Sequence, residues 1–252
     1  MRKWMLINLL KLNDSKTEVL LIGSHQQRAK CSIPSLTVGN SSVSVKSSAR
    51  NLGVIFDDSL SMDLQVKSMC KGMYYHLYNI SKIRKCLTRE ATERLIHALI
   101  SSRLDMCNSL LCGLPGVLLN KLQSVQNSAA RLIACVRKFH HITPILIQLH
   151  WLPVKQRIEY KILLLTYCAL NNLAPVYLRD LLCYYEPSRT LRSSNQRLLV
   201  EPKFRLSSCG SRAFVYVAPR LWNTLPFVIR SAASLNSFKS LLKTYLFRVA
   251  YS

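Results

Sequence analysis

Acid is what this sequence lacks most. Asp and Glu number 12 in 252 residues, against 35 Lys and Arg, and the formal charge is +23 at pH 7. A polyphosphate profits from that excess, because each neutralised phosphate releases condensed counterions. Generic basicity is the plainer reading, and it too places nucleic acid nearby. A second absence is any CxxC. The nine cysteines are odd in number and scattered, which argues against a secreted disulfide scaffold and for reduced thiols in the cytosol or nucleus. Cys107 and Cys112 lie closest, far from His140 and His141, so no tight spacing exists for a tetrahedral zinc site. Neither G-x-x-x-x-G-K-[ST] nor G-x-G-x-x-G occurs, which removes the usual nucleotide-binding loops. No Ser/His/Asp triad can be read from spacing, and no internal repeat is visible. Long apolar runs are missing too. The opening "MRKWMLINLLKLND" is short, is interrupted by Asn8 and has no small-residue cleavage site after it. The longest later run, Ile162 to Leu170, is about half of a membrane span. No signal peptide, membrane segment or membrane partner is expected, and the expected location is nuclear or cytoplasmic.

What is there is apolar. Hydrophobic residues make up 49 % of the chain and the mean hydropathy is +0.12, too high for a disordered basic tail. The length suffices for one large domain or two small ones with a sizeable core. Some of the apolar surface is available to something else, such as the rest of a larger protein.

Short β-branched or apolar runs at Val19–Ile22, Leu36–Val38, Val43–Val45 and Leu52–Phe56 alternate with Gly, Ser, Pro and Asn. They predict a small antiparallel sheet, with Gly39 and Asn40 as a hairpin turn. From Ser61 the period becomes helical: Val66, Met69, Met73, Leu77 and Ile80 recur at three- and four-residue steps. Thr88 is placed as an N-cap, with Glu90 and Glu93 in the first turns. After Pro115, the residues Leu118, Leu122, Val125, Ala129, Leu132 and Val136 form a heptad-like stripe. Three helices with short joints predict a thumb-like antiparallel bundle. A fourth helix carries Ile158, Ile162, Leu165 and Ala169 inward, and a fifth starts at Pro175. Residues 186–209 read as a linker or an extended basic arm. The terminal helix buries Leu235, Phe238, Leu241, Leu242 and Leu246. The expected fold class is mainly α with a small N-terminal antiparallel β element (α+β). The expected segments are 1–60 (β element), 61–137 (bundle), 138–185 (further helices) and 186–252 (basic linker and terminal helix).

The stretch "NLGVIFDDSLSMD" sets Asp57 and Asp58 after an apolar run, as in metal-dependent polymerases and nucleases. Such a site needs carboxylates from more than one strand. The earlier acids are Asp14, in a polar turn, and Glu18. A strand end leading into a helix, with Asp58 or Ser59 as its cap, accounts for the pair.

Cations interleave with the helical faces at Lys67, Lys71, Lys82, Arg84, Lys85, Arg89, Arg131, Arg137 and Lys138. With few acids to pair with, they are candidates for sequence-independent contact with phosphate; a solvated helix face is the alternative. Arg192, Arg197, Lys203, Arg205 and Arg212 form a second basic region, which either touches nucleic acid or is a solvated arm. His140, His141, His150 and Trp151 lack a positioned carboxylate or thiol partner. Packing explains them best, although Trp151 could stack on a base. Trp222 in "RLWNTLP" reads as a buried anchor.

"WMLINLLKLNDSKTEVLLIGS" resembles the segment that follows the catalytic palm hairpin in reverse transcriptases of non-LTR (LINE-type) retrotransposons. Trp4, Asn8, Leu10, Leu12, Asn13, Lys16, Thr17 and Glu18 match that family's pattern. "NLGVIFDDSLSMDLQV" resembles the family's next block. "SRLDMCNSLLCGLP", "KLQSVQNSAARLI", "HITPILIQLHWLPVKQRIEYKILLLTYCAL", "APVYLRDLL", "LRSS", "GSRAFVYVAPRLWNTLP" and "SFKSLLKTYLF" follow in the order seen toward the C-terminus of these elements. The resemblance covers nearly the whole chain. It implies the end of the palm, the thumb and the C-terminal region of an RNA-directed DNA polymerase from a transposable element. Asp57 and Asp58 do not match the family's catalytic carboxylates, which lie upstream of these blocks. The resemblance therefore implies a truncated copy that is not an enzyme on its own and has no cofactor, Mg²⁺ belonging to the intact parent. The expected residual role is sequence-independent binding of primer–template RNA and DNA. Two alternatives stand: a stand-alone basic nucleic-acid-binding protein, or a protein-interaction module that docks on a palm-containing chain.

Overall fold

The structure, a computed structural model, describes residues 2–10, 13, 16–31, 33–38, 41–187, 196–203 and 210–252. Chain contacts divide it into two units, Met1–Ser68 and Met69–Ser252. The fold is mainly α with a small β element near the N-terminus.

The first unit opens with helix α1 (Arg2–Ile7) and has a second short helix, α2 (His25–Ala29). Ser24 caps α2 with a reciprocal pair of bonds to Gln27, which satisfies two otherwise orphaned backbone donors. Strands β1 (Val19–Leu20), β2 (Ser35–Val38) and β3 (Ser41–Lys46) form one sheet in the order β1-β3-β2. β2 and β3 are antiparallel, with Val38 opposite Ser41. The expected turn residues Gly39 and Asn40, like Asp14, lie outside the described residues. β1 runs parallel to β3, so this sheet is mixed where an all-antiparallel one was expected. β4 (Ser48–Asn51) and β5 (Val54–Asp57) make a separate antiparallel hairpin. The expected strand from Leu52 to Phe56 is thereby shortened, because Leu52 and Gly53 form the turn, with φ of 47° and 86°. Two consecutive positive φ values match the twist of the flanking strands, and Gly53 takes its value without a Cβ penalty.

Asp57, at the end of β5, is buried. One carboxylate oxygen accepts from Ser59 N (3.2 Å), Ser59 Oγ (2.7 Å) and Ser61 N (2.7 Å); the other accepts from Ser61 Oγ (3.2 Å) and Met62 N (2.8 Å). Burial pushes this carboxyl up, but the bonds from Ser59, Ser61 and Met62 together outweigh it and hold the group below the ordinary aspartate range. Asp58 pairs with Arg28. Asp57 thus builds the turn that leads from β5 toward the next helix and Asp58 is an ion-pair partner; the expected helix cap at Asp58 or Ser59 is not formed among the described residues.

Helix α3 (Asp63–Ile83) starts in the first unit and continues into the second. There it buries Met73, Leu77 and Ile80, with Met69 half-buried. Thr88 caps α4 (Arg89–Ile96) by accepting from Ala91 N at 3.1 Å. The same helix passes through a π-helical turn, His97–Ser101, into α5 (Ser102–Asp105). α6 (Gly116–Ala134) buries Leu118, Leu122, Val125 and Ala129 as expected. It then buries Ala130 and Ile133 in place of Leu132, while Val136 lies beyond the helix end, where Cys135 takes a left-handed φ of 54°. A straight helix drifts by roughly 20° per heptad against a 3.5-residue stripe, which accounts for the shift.

α7 (Thr143–Gln148) precedes α8 (Val154–Leu170), which packs against α6, α10 (Phe214–Asn223) and α12 (Leu235–Tyr251). Surrounded in this way, α8 buries Leu163, Thr166 and Tyr167 beside the expected Ile158, Ile162 and Ala169, and leaves Leu165 half-buried. The fifth helix shrinks to α9 (Val176–Arg179) behind Pro175. A last short helix, α11 (Phe227–Arg230), joins α10 to α12. On α12, Phe238, Leu242 and Leu246 are buried but Leu241 is exposed. Trp222 is buried; its ring stacks at 5.9 Å on Phe238, which in turn stacks at 4.2 Å on Tyr167.

Of the expected linker, 186–187 and 196–203 are described, and 196–203 is fastened rather than free. Asn223 accepts from Leu199 N and donates to Leu199 O, both at 2.9 Å, and Trp222 Nε1 donates to Arg197 O at 2.9 Å. The side chain of Asn223 imitates a strand partner for that backbone. Lys203 is exposed, and Arg192 and Arg205 lie outside the described residues. Among the described residues no helix is long and apolar enough to cross a membrane.

Candidate nucleic-acid interface

Within the second unit, the C-terminal half of α3 and the outer face of α6 border an open groove of about 820 Å³. Four of the expected phosphate-binding residues meet there: Arg84, Lys85, Arg131 and Lys138. Among the described residues no Asp or Glu lines it. On the α6 side, ahead of Arg131 and Leu132, the wall is small and uncharged, made of Ser124, Asn127 and Ser128. The two serine hydroxyls donate to the carbonyls of Asn120 and Ser124 at 2.8 Å, so they lie flat along the helix. Such a floor lets a phosphodiester backbone come close to the flanking cations.

The four cations differ in state. Three guanidinium donors of Arg84 are already engaged, with Leu132 O (3.0 Å), Leu87 O (2.9 Å) and Ile133 O (3.1 Å). Two of these carbonyls belong to the last turn of α6, which has negative partial charge and no intrahelical donors left. Arg84 therefore ties the chain after α3 to the end of α6 and sets the groove width. Lys85 and Lys138 are exposed. Arg131 is half-buried, and its Nε is closed to solvent without a hydrogen-bond partner among the described residues.

The other expected residues are dispersed. Lys71, Lys82, Arg89 and Arg137 are exposed outside the groove lining, and Lys67 is exposed in the first unit. Arg212 is half-buried, lies over Gly113 and donates from Nε to Cys112 O at 3.2 Å. Arg192 lies outside the described residues. Trp151 is buried in the core, while His140, His141 and His150 are exposed.

Sequence reasoning missed the aromatics. Tyr74 lines the groove. Tyr74, Tyr75 and Tyr78 are exposed on α3, and the Lys82 ammonium sits 4.3 Å from the centroid of the Tyr78 ring. The signal was present: Lys71, Tyr74, Tyr78, Lys82 and Lys85 follow one another at steps of three and four, which puts phenol rings and ammoniums on one helical face. Exposed rings beside cations can stack on bases while the cations hold phosphates.

Among the described residues no three His, Cys, Asp or Glu side chains gather as metal ligands would. No protein-family model, no curated protein and no solved structure matches this chain.

Proposed function

We propose that the chain is the thumb and C-terminal part of a non-LTR retrotransposon reverse transcriptase, and that it grips primer–template RNA and DNA through the phosphate backbone without copying it. The observation that carries this reading is the groove lined by Arg84, Lys85, Arg131 and Lys138, with no acidic residue in its lining among the described residues. Lys85, Arg131 and Lys138 would meet phosphates, with Arg84 holding the walls apart. Tyr74 and Tyr78 would take unpaired bases. The family blocks quoted above support the same reading, and none of the chain's acidic residues matches the family's catalytic carboxylates.

The test is fluorescence anisotropy of the chain with an RNA–DNA hybrid, titrated across salt, with primer extension in Mg²⁺ and dNTPs alongside. Log K should fall linearly with log salt, with a slope of about −0.9 per phosphate contacted, and no extension should occur. No binding at low salt would sink the grip, and Mg²⁺-dependent extension would sink its non-catalytic character. A stand-alone basic nucleic-acid-binding protein would behave alike in this assay.

A second reading, docking on a palm-containing chain, is favoured by one feature. Trp4, Leu6, Ile7 and Leu9 are all exposed in the first unit, and apolar surface left exposed marks interaction sites where it is contiguous. Salt-insensitive association with a palm-containing partner, lost on Trp4→Ser with Ile7→Ser, would support it.

A further inference from the structure

Stretches distant in sequence meet at a cavity of about 470 Å³ in the second unit, apart from the groove. The α4–α5 helix supplies His97, Ser101 and Asp105 and the turn after it Asn108; the turn between α7 and α8 supplies His150 and Trp151. α8 contributes Arg157, Tyr160 and Lys161, and α12 contributes Lys243. Nothing in the proposed grip uses these groups.

The cavity is built rather than incidental. Its α7–α8 turn is held by four hydrogen bonds. Gln126 Nε2 and Arg157 Nε donate to Leu152 O at 2.9 and 3.0 Å, Tyr251 OH donates to Trp151 O at 2.6 Å, and Gln123 Oε1 accepts from Val154 N at 2.9 Å. They hold His150 at a φ of 51°, a conformation that persists only when the surroundings over-determine it. The facing wall includes the π-helical turn His97–Ser101, and such turns collect at functional sites.

The charges identify the ligand. The fork of Arg157 is spent on Asp105, at 3.0 and 2.8 Å. Lys161 and Lys243 have no carboxylate within ion-pair distance among the described residues. Ser101 is 7 % exposed, and its hydroxyl has no hydrogen bond among the described residues. The Tyr160 phenol is a donor at neutral pH, as any tyrosine is, and burial pushes its pKa up further. Bidentate recognition of a planar carboxylate uses a free arginine fork, whereas lysine holds phosphate as a point charge. Two ammoniums and two hydroxyls are point donors and suit a tetrahedral dianion. A phosphodiester within a strand carries one charge and suits an open groove; a terminal monoester carries nearly two at neutral pH.

We infer that this cavity binds a terminal phosphate monoester, with Lys161 and Lys243 neutralising it and the Ser101 and Tyr160 hydroxyls donating to its oxygens. The monoester is either that of a free small molecule of nucleotide size or the phosphorylated end of a nucleic-acid strand.

The test is calorimetric titration of the full chain at low salt with AMP and with adenosine. AMP should bind and adenosine should not. Lys161→Gln with Lys243→Gln should weaken AMP by about tenfold or more, while Lys85→Gln with Arg131→Gln in the groove leaves AMP unchanged and weakens the RNA–DNA hybrid instead. Lys243 is exposed, so Lys243→Gln alone serves if the double variant fails to fold. Equal binding of adenosine, unchanged AMP affinity in the Lys243 variants, or equal loss of AMP in the groove variant would each overturn the inference. Competition with a short RNA identifies the source. Displacement of AMP by the 5′-phosphorylated RNA but not by the 5′-hydroxyl RNA assigns a strand end; displacement by neither assigns a free small phosphate; displacement by both overturns the inference. Failure of the nucleic-acid grip would show separately, as absent hybrid binding at low salt beside intact AMP binding.

Discussion

The two units hold together by different means. Among the described residues of the first, the buried apolar side chains are Val54, Met62 and Val66. In the second, buried Leu, Ile, Val, Phe and Trp side chains run from Met73 to Leu246. The first unit leans on polar wiring instead: Asp57 with its five donors, Gln65 Oε1 accepting from Ile55 N at 2.9 Å, and Glu18 paired with Lys46. Burial is nondirectional and sums over area, whereas a wired carboxylate depends on one ionisation. The second unit should therefore yield to cavities and the first to pH.

The largest effect should come from Phe238→Ala, which removes the ring sandwiched between Trp222 and Tyr167. A loss of about 3–5 kcal/mol is expected, visible in urea unfolding as a lower midpoint for the second unit. Asp57→Ala should cost about 2–3 kcal/mol, confined to the first unit, with faster hydrogen exchange at the amides of Ser59, Ser61 and Met62 and unchanged hybrid binding. The same contrast can be drawn with pH. The folded-state pKa of Asp57 is depressed, so its contribution is complete above the ordinary aspartate value and is lost as pH falls through the lower folded one. Those three amides should lose protection in acid before the core amides of α6 and α8 do; simultaneous loss would mean that the units do not differ in this way.

Arg84→Ala should cost about 1–3 kcal/mol and fray the last turn of α6. It should weaken hybrid binding more through a misplaced Arg131 than through its own charge, so Arg84→Lys should not restore the affinity. Tyr251→Phe should have the smallest effect, about 1 kcal/mol, from the lost bond to Trp151 O. Burial pushes the Tyr251 phenol up to about 12, so folding retains the proton that the unfolded chain releases near 10. Wild-type stability should then fall from about pH 10 to about 12, and the variant should lack that alkaline component.

The helices were legible because burial imposes a period. The faces of α3, α6 and α12 follow from residue spacing, and Thr88 announces its cap. Departures occur where a long-range partner decides. No local pattern says that β1 runs parallel to β3, or that Asn223 will fasten Leu199. Leu52 looks like the first strand residue, yet Gly53 after it makes the pair a turn. The cations of the groove could be listed from the sequence, but which of them converge could not. Arg84 reads as one more basic residue until the end of α6 takes up its donors. The cavity wall was hidden more deeply, since Ser101 and Lys243 lie 142 positions apart and neither carries a signal of its own.

One helix touches both sites. α6 presents Ser124, Asn127 and Ser128 to the groove, and from the neighbouring positions Gln123 and Gln126 it holds the turn that walls the cavity. Mechanically, α6 is a shared axle. A packing defect that displaces α6 as a body should therefore disturb both sites together, which changes of the groove side chains or of the cavity side chains alone should not.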